Sequence, residues 1–228
     1  MKPPVIFVTG TDTGAGKTVF AAHLVQHLRH QGCRVVGLKP LCSGRRDDAR
    51  LLRAAAGKVL SLDEVNPWHF RAPLAPLLAA RKESRRVQLS QVVKHVRTVS
   101  QRYEWVVVEG AGGLLSPLGE DFDSRDLIVA LQALPVVVCP NRLGAVNQAR
   151  LVLDALPVRA RTQARVVLMS PPRSHPATRS NARLLAEFFA TDRICEFPWL
   201  GKESQSSTHL RPRPANQVAR VLGRWFSP

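Results

Sequence analysis

The chain is poor in acid, in aromatic rings and in anything that would staple or anchor it. Seventeen Asp and Glu face 33 Lys and Arg, aromatic residues make up 6%, and tyrosine occurs once, at Tyr103. The four cysteines, Cys33, Cys42, Cys139 and Cys195, form no CxxC pair, which removes zinc ribbons and disulfide scaffolds from consideration. No apolar run reaches the roughly 18 residues a membrane-spanning helix requires. The apolar run near the start, Val5–Val8, is too short for a signal peptide and lacks a small-residue cleavage site, so a reducing, cytoplasmic setting is expected. The scarcity of acid leaves a formal net charge of +16, which raises the question of a polyanionic partner. A long acid-free stretch, Ala155 to Ala186, carries Arg159, Arg161, Arg165, Arg173, Arg179 and Arg183. Yet no five or six basic residues run together, and aromatics do not interleave with them as on a base-stacking surface. A solvated, Arg-rich surface is the expectation, with no nucleic acid and no membrane as partner.

What is present is an ordinary globular composition, 45% hydrophobic over 228 residues. A chain of that length buries roughly 70–75% of its unfolded surface and needs no covalent staple. Short apolar runs at Val5–Val8, Val35–Leu38, Trp105–Val108, Pro135–Cys139, Val166–Met169 and Ile194–Phe197 read as strands buried on both faces. Helical patterns lie between and after them, at Lys17–Gln31, Asp47–Ala56, Leu89–Arg102, Ser124–Leu134, Ala145–Ala155, Arg179–Ala190 and Asn216–Trp225. This alternation predicts right-handed crossovers and an α/β fold of three layers, a mostly parallel sheet with helices on both faces. The proline-rich pieces Ala72–Pro76, Ser170–Pro176 and Arg211–Pro214 read as loops, and residues 1–228 as a single domain.

The segment from Gly10 to Thr18, GTDTGAGKT, fits GxxxxGK[ST] and lies between a strand and an amphipathic helix. Its amides would cradle phosphate oxygens at a helix N-terminus, Lys17 would reach the β- and γ-phosphates, and the Thr18 hydroxyl would ligate Mg²⁺. Two further strands end in chemistry, on the side of the sheet where parallel α/β proteins bind ligands. Val35–Leu38 runs into Lys39, a cation suited to a transferring phosphoryl group. Trp105–Val108 runs into Glu109-Gly110-Ala111-Gly112-Gly113, a carboxylate followed by a turn that permits close approach to a nucleotide. Asp47 and Asp48 open a helix and serve either as N-cap or as a third acidic group facing the metal. His23, His27 and His30 share a helix face without a Cys or carboxylate beside them, and His69, His95, His175 and His209 show no ligand spacing, so no histidine metal site is expected. Cys42 reads as a small filler, no general base being evident near it.

With GTDTGAGKT (10–18), GLKPLCSG (37–44), DDARLL (47–52), NPWHFRAPLAP (66–76), WVVVEGAGGLLSPL (105–118), LPVVVCPNRLGAVNQARLVL (134–153) and FPWL (197–200) in place, the chain resembles the dethiobiotin synthetase family almost end to end. The resemblance implies an ATP- and Mg²⁺-dependent ring closure of 7,8-diaminononanoate with CO₂, through a carbamate and a carbamic-phosphate mixed anhydride, late in biotin biosynthesis. Lys39 and Lys17 are then catalytic. Thr13, Gly14, Ala15, Gly16, Lys17, Thr18, Val19, Asp48, Glu109, Gly110, Ala111, Gly112, Pro198, Trp199 and Leu200 hold the nucleotide and its metal, with Thr18, Asp48 and Glu109 around Mg²⁺. Ser43, Gly144 and Asn147 meet the substrate, the last two across a homodimer interface. The chain departs from the family at Gly14, where an acid is common, and at Ser170-Pro171-Pro172, where an Asn-Asp pair often meets adenine. The choice between Asp47 and Asp48 rests on neighbouring residues alone.

Three other readings use this or a related fold. A catalytically drifted P-loop ATPase would keep the nucleotide site and change the substrate. A partitioning-type ATPase acting on DNA or membrane would suit the charge, but carries a second lysine five residues before the loop lysine, where this chain has Asp12. An ATP-dependent amidase is expected to need a glutaminase domain for which 228 residues leave no room.

Overall fold

Valine-rich runs flanked by glycine and charge leave no solvent-facing side, and such strands are stable only between two layers of helices. In the computed structural model, which describes residues 5–201, 216–223 and 225–226, they form one parallel sheet. The strands in chain order are β1 (Val5–Gly10), β2 (Val35–Leu38), β3 (Leu41–Ser43), β4 (Trp68–Phe70), β5 (Trp105–Glu109), β6 (Leu134–Pro140), β7 (Arg165–Met169) and β8 (Ile194–Phe197). Six of them make the sheet in the order β2-β5-β1-β6-β7-β8, while β3 and β4 pair separately, also in parallel. In register, Phe7 of β1 lies opposite Val108 of β5 and Pro135 of β6. Ile6, Phe7, Val8, the Val106–Val108 run and the Val136–Val138 run have no exposed surface.

The helices are α1 (Lys17–His30), α2 (Asp47–Ala55), α3 (Leu62–Val65), α4 (Pro76–Lys82), α5 (Leu89–Ser100), α6 (Ser124–Leu131), α7 (Ala145–Ala155), α8 (Val158–Arg161), α9 (Pro176–Ala186) and α10 (Asn216–Gly223). Contacts place α1, α2 and α10 on one face of the sheet and α5 to α9 on the other. Helix α1 is the most deeply seated: Phe20, Ala21, Ala22, Leu24, Val25 and Leu28 are fully buried. Burial of each large side chain contributes roughly 1.5–3 kcal/mol.

The three-layer parallel fold expected from the alternating pattern is present, and the differences are local. The helix expected to run to Leu134 stops at Leu131, because Gln132 takes φ +53° and its amide turns back onto Val129. Leu134 is thereby released to begin β6. Helix α9 begins at Pro176, earlier than expected, since proline suits the first turn and the Thr178 hydroxyl accepts from the His175 amide at 2.8 Å and donates to the His175 carbonyl at 2.7 Å. Pro76 likewise opens α4 where a loop was expected. Helices α5 and α10 end short of Arg102 and Trp225. The pair β3 and β4 was not expected, since three residues carry no readable period. Arg211–Pro214 and His209 lie outside the described residues.

Candidate active site

The strand order decides what meets. β2, β5 and β1 are neighbours, so their carboxyl ends bring Lys39, Glu109 and the Gly10–Thr18 loop side by side, although Lys39 and Glu109 are 70 residues apart in the chain. Neighbouring strands lie about 4.8 Å apart, within reach of one lysine or glutamate side chain.

The loop between β1 and α1 is wound around Lys17. A side chain at Gly10 would stand 3.1 Å from the Lys17 stem and 3.2 Å from the Val138 carbonyl, so glycine leaves the space the lysine occupies. Gly16 takes φ +97° and abuts Met169, a position closed to larger residues both by backbone conformation and by contact. Lys17 Nζ donates to the Asp12 carbonyl at 2.8 Å, and the Thr13 amide donates to Asp12 Oδ1 at 2.6 Å. Burial, and next the charge of Lys39, push the Lys17 ammonium down to about 8. Thr13 and Gly14 are exposed at the tip, Ala15 is buried, and Thr18 and Val19 stand half-buried in the first turn of α1.

Lys39 is buried between two carboxylates. Its Nζ donates to Glu109 Oε1 at 2.7 Å and to the Gly110 carbonyl at 3.1 Å, and lies 3.0 Å from Asp48 Oδ2. Burial alone would lower its affinity for a proton, but Glu109 and Asp48 outweigh it and hold the ammonium above its ordinary value. The Thr18 hydroxyl donates to the same Glu109 oxygen at 2.7 Å. Among the described residues Glu109 Oε2, fully buried, has no hydrogen-bond partner. Burial pushes the Glu109 carboxyl up and Lys39 opposes it. Lys39, although burial works against it, draws the Asp48 carboxyl down.

The structure separates the two aspartates. Asp47 is exposed and held by Arg45 at 2.6 Å and Arg50 at 3.1 Å, while Asp48 turns inward onto Lys39. Neither is the N-cap of α2, which is Arg46 and makes no side-chain cap bond. Among the described residues no group of three or more His, Cys, Asp or Glu gathers as a metal cluster. What gathers instead is a hydroxyl and two carboxylates, one of which, Glu109, keeps an oxygen without a partner among the described residues. That hard oxygen set fits Mg²⁺, which takes one or two carboxylates and completes its shell with water and substrate phosphates.

The other candidates lie around this centre. Ser43 ends β3 and its hydroxyl donates to the Leu74 carbonyl. Gly110 is buried, Ala111 and Gly112 less so, along the turn after β5. Pro198, half-exposed Trp199 and Leu200 follow β8 at the far edge of the sheet. Gly144, at φ +89°, and exposed Asn147 stand at the head of α7, on the opposite side of β1 from Lys39, and are not gathered into the Lys39–Glu109 cluster. Leu143 beside them is 88% exposed. Two buried asparagines lie outside the candidates that motif and spacing select. Asn141 takes part in a network with Asn181 and the Thr178 carbonyl that ties the end of β6 to α9. Asn66 donates to the Lys39 carbonyl at 2.7 Å; its only sequence signal is an Asn-Pro step before a short apolar run. Of the histidines, His23 and His27 are buried within α1, while His69 and His95 bond to the Gly44 and Glu64 carbonyls. Cys42 lies near the Arg45 carbonyl, and burial raises its thiol pKa.

A family profile described as an AAA domain matches residues 5–207. An ATP-dependent dethiobiotin synthetase BioD of Anaeromyxobacter dehalogenans (strain 2CP-C) is 42% identical over 199 residues, 85% of this chain and 89% of that protein. A second BioD, from Anaeromyxobacter sp. (strain Fw109-5), is 36% identical over 93% of this chain and 98% of its own length. The chain belongs to the ATP-dependent dethiobiotin synthetase family. Among solved structures, a ParA family ATPase from Chlorobium tepidum TLS superposes over 99% of the chain with TM-score 0.60 and 13% identity. The MinC:MinD cell division protein complex of Aquifex aeolicus gives TM-score 0.61 and 15% identity. At those identities the likeness is one of fold. The family assignment agrees with Asp12, whose carbonyl receives Lys17 where a partitioning ATPase carries its second lysine. Among the described residues no helix is long and apolar enough to cross a membrane.

Proposed function

We propose that this protein closes the urea ring of dethiobiotin from 7,8-diaminononanoate, CO₂ and ATP, with 1–228 as one catalytic domain. The observation that carries the reading is the placement of Lys39, buried and charged between Glu109 and Asp48 at the mouth of the phosphate loop. In this reading one substrate amine attacks CO₂ and loses a proton, giving a carbamate. A carbamate oxygen attacks the γ-phosphorus and ADP departs, giving a carbamic-phosphate mixed anhydride. The second amine attacks the carbamoyl carbon, phosphate departs, and the five-membered urea is closed.

The phosphoryl-transfer step brings two anions together, and the residues answer that repulsion. Lys17 and the amides from Thr13 to Val19 hold the triphosphate. Lys39, whose charge is secured by two carboxylates, faces the oxygens between carbamate and γ-phosphate and stabilises the charge passing from one to the other. Gly110, Ala111 and Gly112 let the backbone approach the phosphates, and Ser43 is placed for a substrate polar group. Thr18, Asp48 and Glu109 would hold Mg²⁺, which supplies charge neutralisation across the β- and γ-phosphates. Pro198, Trp199 and Leu200 border the base. Gly144 and Asn147, at a helix N-terminus apart from Lys39, suit the substrate carboxylate in the site of a second copy, which makes a homodimer part of the proposal.

The test is incubation with ATP, Mg²⁺, bicarbonate and 7,8-diaminononanoate, followed by mass spectrometry for the cyclic urea. Product that requires all four supports the reading. Its absence with ATP, CTP and GTP alike would leave a drifted ATPase instead.

A further inference from the structure

Lys39 is held at its side chain by carboxylates, but its backbone is held by something else. β2 ends at Leu38, so the Lys39 and Pro40 carbonyls lie beyond the main sheet's ladder, and Pro40 has no N–H of its own. Asn66, 1% exposed, fills that gap at Lys39, while the Pro40 carbonyl also accepts from the Trp68 amide at 3.1 Å. Its Nδ2 donates to the Lys39 carbonyl at 2.7 Å and to the Pro40 carbonyl at 3.3 Å. Its Oδ1 accepts from Arg46 Nε at 3.0 Å, and its own carbonyl accepts from Arg46 Nη2 at 2.9 Å. Arg46 Nη2 also donates to the Leu62 carbonyl at 3.1 Å and to Asp63 Oδ1 at 2.9 Å. On the main chain, the Lys39 amide donates to the Val65 carbonyl at 2.9 Å. Arg46 is the residue immediately before α2, and Asp48 is the second residue of that helix. One connected set of bonds therefore fixes the backbone of Lys39 and the start of the helix that carries its partner, Asp48.

We infer that Arg46 and Asn66 form a positioning clamp that sets Lys39 against Asp48 and Glu109 for phosphoryl transfer, an inference that rests on the role proposed above for Lys39. The side-chain chemistry is specific. An amide offers donors to two carbonyls and an acceptor to a guanidinium at once, and aspartate in its place would set a carboxylate against two carbonyl oxygens. Arginine bonds through two nitrogens of a rigid fork, which lysine cannot reproduce. Displacement of a reacting group by about 1 Å costs on the order of 100-fold in rate even when the altered residue is remote from the chemistry.

The test pairs kinetics with a direct reading of Lys39. Asn66→Ala is expected to lower kcat for ring closure about 100-fold with KM for ATP within about three-fold, and Arg46→Ala about 10-fold, with Arg46→Lys between Arg46→Ala and wild type. In parallel, acetic anhydride labelling of Lys39, quantified by peptide mass spectrometry against exposed Lys58, should rise several-fold in each variant. Should Asn66→Ala fail to fold, the two Arg46 variants, whose side chain reaches the surface, carry the test. Folded variants with unchanged labelling overturn the clamp whatever happens to kcat. Raised labelling with kcat kept, and loss confined to thermal stability, overturns its role in positioning. If the wild-type protein makes no cyclic urea, the proposed reaction fails, while the labelling comparison still decides whether these two residues hold Lys39.

Discussion

Two lysines in one site are held in opposite ways. Lys17 reaches a single backbone carbonyl, and burial with the neighbouring charge of Lys39 brings it down to about 8. Lys39 meets two carboxylates and stays charged throughout the working range. Above about pH 8 the nucleotide-free protein should therefore hold Lys17 largely neutral, and a triphosphate must restore its proton. Affinity for ATP should be flat below that pH and weaken by up to about ten-fold per unit above it. Calorimetry at about pH 9, in two buffers of different ionisation heat, should show proton uptake on binding; a dissociation constant unchanged from neutral pH would refute it. Lys17→Ala and Lys39→Ala should each cut ring closure at least about 100-fold. Only Lys17→Ala should abolish tight nucleotide binding, which equilibrium binding of a fluorescent ATP analogue separates. Lys17, Thr18, Lys39 and Glu109 were legible from motif spacing and strand ends, because each directly follows a recognisable element. Asp48 was not separable from Asp47 by type. It takes the roughly 100° turn per helical residue to aim one at Lys39 and leave the other with Arg45 and Arg50.

At the scale of elements, α1 carries the phosphate site at one end and a deeply buried body behind it. His23 in its second turn is 4% exposed and packs 5.9 Å from the Phe197 ring of β8. Burial, opposed by the nearby Gln26 side chain, pushes its imidazole down to about 4. The unfolded chain binds that proton from about pH 6.5 and the native chain only near 4, so the unfolded state gains protons first as the solution is acidified. Stability should be steady above pH 6.5 and decline between 6.5 and 4, with this residue accounting for up to about 3 kcal/mol. Urea midpoints at about pH 7 and 4.5 for wild type and His23→Leu measure it; equal acid losses in both proteins would contradict the assignment. The long elements were readable because ten or more residues display a period. The strands Leu41–Ser43 and Trp68–Phe70 were not, although they flank the Lys39 turn, since three residues pair only once a neighbour is brought to them. The end of α6 depended on Gln132 adopting a left-handed conformation, which nothing in its type announces.

Across the whole molecule, the net charge of +16 is a surface property with few local debts. Several arginines are already engaged, Arg81 with Glu120, Arg102 with Glu64 and Arg161 with Asp154, and Arg165 stacks on Trp225 and Phe226. The surplus gives a positive field that favours anionic substrates and weakens with salt. Raising ionic strength from about 0.05 M to 0.5 M shortens the screening length to under half, so KM for ATP, the polyanion, should rise while kcat changes little. Constant KM over that range would remove the field from the account.

Composition, period and motif alone determined that this chain is a three-layer α/β protein with a phosphate loop, and that its other reactive groups cap strands. Those features are local: a buried strand needs only its own apolar residues, and a phosphate loop only its own glycines and lysine. The tertiary structure decided which strand ends are neighbours. The order β2-β5-β1 depends on how helices cover the sheet; with the seating of α2 it joins Thr18 to Glu109 at 2.7 Å, and Lys39 to Glu109 at 2.7 Å and to Asp48 at 3.0 Å. It likewise decided that Asn66, unremarkable as a residue type, stands behind Lys39. Hydrogen bonds between segments 27 residues apart have no signature in either segment until the fold brings donor and acceptor together.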